Sequence, residues 1–288
     1  MSGIGVPKDE LKAAEWFQKA AIQGNDKAQY QLGAMYQMGK GVPKDNTKAV
    51  EWYLKAAEQG NVEAQRNLAA MYESNYMTNL PKEFHIGSDI PKDDAKAAEW
   101  YRKAAEQGDT HAQVALGQMY ADGRGVPKDE AKGFEWVQKA ALQGEAYAQY
   151  QLGWLYLQGG GVPKDAAKAV EWMNKAADNG MAAAQLELGR MYVAGTGIPK
   201  DVAKGVEWLQ KAAEHGIGHA QHELAGMYAE GKGVPKDPVR AYAWFSLAAD
   251  WGYPNDAQAR DEIGKTLTPE QMAEAKKLSA EISAKIPR

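Results

Sequence analysis

Between residues 145 and 158 the apolar side chains Ala148, Leu152, Leu155 and Tyr156 fall at i, i+4, i+7 and i+8. That spacing puts them on one face of a helix. From 166 to 179 a second face forms from Ala169, Trp172, Ala176 and Ala177. The stretch between them is GVPKD, and the same five letters stand at 5–9, 41–45, 125–129 and 233–237, with IPKD at 90–93 and 198–201. Two helices and a fixed connector are therefore written over and over, and the period has to be settled before any single motif is interpreted.

The prolines of the connectors, Pro7, Pro43, Pro91, Pro127, Pro163, Pro199 and Pro235, are 36 residues apart except for one gap of 48. Trp16, Trp52, Trp100, Trp136, Trp172, Trp208 and Trp244 give the same spacings with the same jump, so one unit carries a 12-residue insertion within 73–90. Each connector supplies an aspartate such as Asp165 to cap the second helix, and a glycine such as Gly180 follows its end in the position that favours a left-handed backbone. Glu171 and Lys175, like Glu51 with Lys55 and Glu207 with Lys211, stand at i and i+4 on a solvated face. The repeated tryptophans are expected in the core. Small residues on the first helices, Ala28 with Gly33 or Ala184 with Gly189, imply close backbone approach, since glycine costs about 1 kcal/mol within a helix.

The unit AQxxLGxMYxxGxGVPKDxxKAxEWxxKAAxxG resembles the Sel-1-like repeat, a relative of the tetratricopeptide repeat, over essentially residues 1–251. The 36-residue period, the GxG before the connector and the KAxxW core separate it from the 34-residue tetratricopeptide pattern. The resemblance implies an all-α fold, a right-handed superhelical solenoid of antiparallel helix pairs, and an adaptor or scaffold that binds proteins rather than an enzyme. Bacterial relatives of this kind act with sensors and envelope assembly, in host interaction, or as immunity proteins that block toxic effectors.

On this reading residues 1–24 are a half repeat, 25–251 hold six repeats, and 252–288 form C-terminal capping helices. Thr268-Pro269-Glu270-Gln271 opens the last of these, with an N-cap, an N1 proline and an N3 glutamine. Opening on a connector and second helix suggests a truncation ahead of residue 1. A removed signal peptide would place the protein in the periplasm or outside the cell; otherwise it is cytoplasmic.

Composition narrows the function. A net charge of −4 supplies no basic stripe for nucleic acid or anionic membranes, no apolar run is long enough to insert in a bilayer, and cysteine is absent. None of the six serines stands in an SxxK or GxSxG setting, and the carboxylates belong to repeated capping or ion-pair positions. No catalysis and no cofactor are expected. Gly226–Lys232 imitates a phosphate-binding loop, but Gly233 replaces the required hydroxyl residue and the segment ends a helix instead of starting one. His215, His219 and His222 crowd one inter-repeat turn, a conceivable metal cluster set against surface positions that merely hold histidine.

A repeat protein supplies its own control for which positions its scaffold leaves free. Between LG and MY the free position holds Ala34, Ala70, Gln118, Trp154, Arg190 and Gly226; four residues earlier stand Tyr30, Arg66, Val114, Tyr150, Leu186 and His222. Trp154 and Tyr150 stand out, at i and i+4. With first helices lining a concave groove, as in the family, Val114, Gln118, Tyr150, Trp154, Leu186 and Arg190 form the expected protein-binding site, with Arg190 available to a partner carboxylate. The alternative is that Trp154 fills space between first helices. Tyr76, Met77, Phe84 and His85 on the insertion are further loop contacts, although a loop of this length is also tolerated without purpose. A toxin-blocking immunity protein and a carbohydrate binder using the same aromatics are the other expectations.

Overall fold

The computed structural model describes residues 9–73, 90–252 and 254–286. Among these every regular element is helical, and the contacts divide them into two compact units meeting in sequence at 143 and 144. The first unit holds α1 (Glu10–Ile22), α2 (Asp26–Met38), α3 (Asn46–Glu58), α4 (Val62–Glu73), α5 (Asp94–Glu106), α6 (Thr110–Asp122) and α7 (Glu130–Leu142). The second holds α8 (Ala146–Gln158), α9 (Ala166–Asp178), α10 (Ala182–Ala194), α11 (Val202–Glu214), α12 (Gly218–Glu230), α13 (Pro238–Ala249), α14 (Pro254–Gly264) and α15 (Pro269–Lys285). Successive helices pack against one another from α1 to α7 in the first unit and from α8 to α14 in the second, and α15 packs on α13.

The connector explains its own letters. In α2, Gly39 ends the helix at φ 68°, and its N–H reaches the Met35 carbonyl; Gly123, Gly159, Gly195 and Gly231 do the same for α6, α8, α10 and α12. The following aspartate closes the turn, its N–H donating to the carbonyl of the MY tyrosine, as Asp45 to Tyr36 at 2.9 Å and Asp165 to Tyr156 at 2.9 Å. Its carboxylate then accepts the N–H of Lys48 or Lys168, capping the next helix. That lysine lies back over the same tyrosine, Nζ 5.4 Å from the ring centroid in both cases.

The second glycine of GxG has a different task. A Cβ at Gly125 would stand 2.0 Å from the Asp94 carbonyl oxygen, and one at Gly41 the same distance from that of Glu10. In the second unit Gly197 and Gly233 press against Ala166 and Val202 in the same way. This glycine lets these four connectors settle on the first turn of the preceding repeat's second helix, so it is an inter-repeat contact as well as a turn residue.

Leu32, Leu68, Leu116, Leu152, Leu188 and Leu224 of the first helices are fully enclosed, and Ala169, Trp172, Ala176 and Ala177 are buried on α9 as their spacing requires. Trp100, Trp172, Trp208 and Trp244 are buried and Trp52 and Trp136 partly so, whereas Trp16 is 69% exposed on α1. The expectation that repeated tryptophans are core therefore fails at Trp16.

A polar ladder lies beside the core within each unit. Gln29, Gln65, Gln113, Gln185 and Gln221 are buried, and each donates Nε2–H to an alanine carbonyl eight residues back, at 3.0 to 3.2 Å. The Oε1 atoms of Gln29, Gln65, Gln113, Gln149 and Gln185 accept from the end of the next second helix: Gln59 to Gln29, Gln107 to Gln65 and Gln143 to Gln113 in the first unit, Asn179 to Gln149 and His215 to Gln185 in the second. At the last rung the matching residue is Trp251, and Oε1 of Gln221 accepts from none of the described residues. Trp251 instead lies over Gly218, where a Cβ would stand 2.7 Å from the indole. The capping box at Thr268 and Gln271 forms as its sequence dictates, and α15 runs to Lys285.

Candidate functional site

Tyr150 and Trp154 project from α8 one turn apart, in edge-to-face contact with ring centroids 6.3 Å apart at 83°. Both are partly exposed. Helix α8 is anchored by Ala148, Leu152 and Tyr156 on its buried side, which leaves these two rings on another face. Burial raises the Tyr150 pKa, the hydrogen bond from Trp154 opposes it, and the Glu187 carboxylate adds to the rise. Tyr147, one turn earlier and 42% exposed, extends the aromatic strip and accepts a hydrogen bond from Gln151.

Arg190 is not held ready for an incoming carboxylate. Its Nε and Nη2 reach Oε1 of Glu223 on α12 at 2.8 and 2.6 Å, and its Nη1 reaches Oε1 of Glu187 on its own helix at 2.9 Å. Burial acts to lower its pKa, and the hydrogen bonds and charges of Glu223 and Glu187 outweigh that, raising it above the ordinary guanidinium value. The expected role of Arg190 is corrected accordingly: the chain itself supplies two carboxylates where one was to come from a partner. Glu187 and Glu223 were missed, although the repeat comparison contains them: their row reads Gln31, Asn67, Ala115, Gln151, Glu187 and Glu223.

Two further residues change standing. Leu186 is 7% exposed and Val114 5%, so both belong to the core and present little surface to a partner. The periodicity that placed them on the free row overlaps the core face by part of a turn. Val114 and the partly exposed Gln118 lie on α6 in the first unit; Tyr150, Trp154, Leu186 and Arg190 lie in the second. Beyond Arg190 a side chain at Gly226 would stand in open space. Tyr76, Met77, Phe84 and His85 lie outside the described residues.

The histidines go to separate duties. His215 serves the glutamine ladder, and His222 Nδ1 lies 2.5 Å from the buried carboxylate of Asp256, with its ring edge-to-face to Phe245. Among the described residues no group of three metal-ligating side chains assembles, and no helix is long and apolar enough to cross a membrane.

Seven stretches of the chain, residues 1–25, 26–61, 82–109, 110–145, 146–181, 182–217 and 218–253, match the Sel1 repeat model. The chain belongs to the Sel1 repeat family. Proteins built of Sel1 repeats are in general non-catalytic scaffolds for protein interaction. Among solved structures this Sel1 repeat chain is similar to a protective antigen of uropathogenic Escherichia coli strains with an SLR fold, at 37% identity and a TM-score of 0.79 over 98% of this chain and 58% of that one. It thus spans less than two thirds of that protein's length. It is also similar to a Sel1 repeat protein from Oxalobacter formigenes, at 36% identity and a TM-score of 0.78 over 91% of this chain and 72% of that one. An immunity protein from Pseudomonas aeruginosa matches at 19% identity and a TM-score of 0.44, too remote to carry an argument. No curated protein matches.

Proposed function

We propose that this Sel1 repeat protein acts without catalysis by docking a protein segment on the first-helix face of its second unit, centred on Tyr150 and Trp154. The observation that carries the reading is the pair itself: two large aromatic side chains, in contact and partly exposed, the tryptophan at a position where the other repeats hold alanine, glutamine, arginine or glycine. Aromatic residues dominate binding energy because they bury much area at low entropic cost, and a well-placed one contributes about 2 kcal/mol or more. The Glu187–Arg190–Glu223 group lies beside them on helices held by the core, so the surface is set before a partner arrives, which lowers the ordering cost of binding.

The test is capture of a partner from native extract by wild type and by the Tyr150→Ala, Trp154→Ala double variant, with circular dichroism showing equal helicity. The expected result is a protein retained by wild type and weakened about thirtyfold or more by the double variant. Equal retention by both would make Trp154 a packing residue and remove the site.

A further inference from the structure

The tryptophans of the second helices bring their own cation. Lys55, Lys103, Lys139, Lys175 and Lys211 each place Nζ 3.9 to 4.2 Å from the centroid of the tryptophan three residues before. Two of these ammonium groups also pair with a carboxylate, Lys103 with Glu99 at 2.9 Å and Lys175 with Glu171 at 2.8 Å. The chain thus repeatedly builds a three-part arrangement of indole face, carboxylate and ammonium, in which the ring quadrupole and the anion both attract the cation.

Trp154 offers the indole face, and Glu187, whose charge acts on the adjoining Tyr150, is the carboxylate of its neighbourhood. Leu157 stands where the lysine would be, and α8 carries no charged side chain from 146 to 158. Among the described residues no cation lies over the Trp154 ring. Carboxylates are at hand: Glu187 acts on the Tyr150 hydroxyl, and Glu187 and Glu223 engage Arg190 through Oε1 alone. Two carboxylates against one guanidinium leave the group with a net charge of −1. An approaching anion would have to displace one carboxylate from Arg190 and face the repulsion of the other, whereas a cation offsets the excess negative charge without breaking a pair.

We propose that the docked segment presents a lysine or arginine side chain to the Trp154 face, its charge shared with Glu187 and Glu223. This rests on the docking reading above and gives it a chemistry: a basic residue among apolar ones, completing from outside the arrangement that the second helices complete from within. Salt weakens such an encounter, because the pair is partly exposed.

The experiment follows the indole N–H signal of Trp154 by nuclear magnetic resonance, assigned with Trp154→Phe. Three short leucine–alanine peptides of equal length are titrated, carrying lysines, glutamines or glutamates. The expected result is that the lysine peptide shifts the Trp154 signal, with an affinity about tenfold above that of the glutamine peptide. Raised salt and either Glu187→Gln or Glu223→Gln remove that advantage. Equal shifts from the lysine and glutamine peptides, or a stronger response to glutamate, would overturn the cation assignment while leaving the docking face standing. A Trp154 signal unmoved by all three would overturn both.

Discussion

At the scale of single residues the ladder glutamines carry more than their polarity suggests. Gln113 donates to Ala105 and accepts from Gln143, so replacing it by leucine strands a buried carbonyl and an amide together. Gln221 makes only the first of these bonds. Gln113→Leu is therefore expected to cost about 2 kcal/mol, and Gln221→Leu less, since only one partner is left unsatisfied. Urea unfolding of the two variants checks the order, and an equal or reversed cost would contradict it. The ladder was not legible in the sequence. The glutamine of AQ recurs visibly, but its partner position holds Gln59, Gln107, Gln143, Asn179, His215 and Trp251, a row whose chemistry is disguised by changing residue type. For that reason the sequence offers His215 as a surface histidine or a conceivable metal ligand, not as a rung of the ladder. Trp154 was legible because it breaks its row, and Arg190 was misjudged because Glu187 and Glu223 become its neighbours only once the helices pack.

Helices and connectors follow the sequence more closely, since caps and turns are local. Asp9, Asp45, Asp93, Asp129 and Asp165 each cap a second helix, and the backbone N–H three residues on lowers each carboxyl pKa below its ordinary value. A carboxyl with a depressed folded pKa contributes stability that is present above the unfolded pKa and lost as pH falls through the folded one. Thermal stability is accordingly expected to decline as pH drops below about 4, the ordinary aspartate range. Replacing Asp93 and Asp129 by asparagine, which caps without titrating, should flatten part of that acid decline in a series of melting curves. An unchanged acid limb would show that the caps do not drive it. From the sequence the glycine of GVPKD, as at 41 and 125, is expected to end the first helix, and the structure gives that task to Gly39 and Gly123 instead. That Gly41 and Gly125 also admit a neighbouring repeat could not be read there, because the contact joins residues about 31 positions apart, Gly41 with Glu10 and Gly125 with Asp94.

For the whole molecule, repetition made the fold the most legible property and function the least. Seven matched repeats and two structures above 35% identity establish the family, and a family of scaffolds leaves the partner to be set by the few positions its packing does not fix. The central claim is that those positions lie on the first-helix face at Tyr150 and Trp154. Site-directed photocrosslinking tests it most directly, with benzoylphenylalanine in place of exposed Tyr147 on α8 or exposed Glu171 on α9. Both sites belong to one repeat and leave Tyr150 and Trp154 in place. The account expects a covalent partner adduct from position 147 and none from 171; adducts from 171 alone would place docking on the second helices and contradict it.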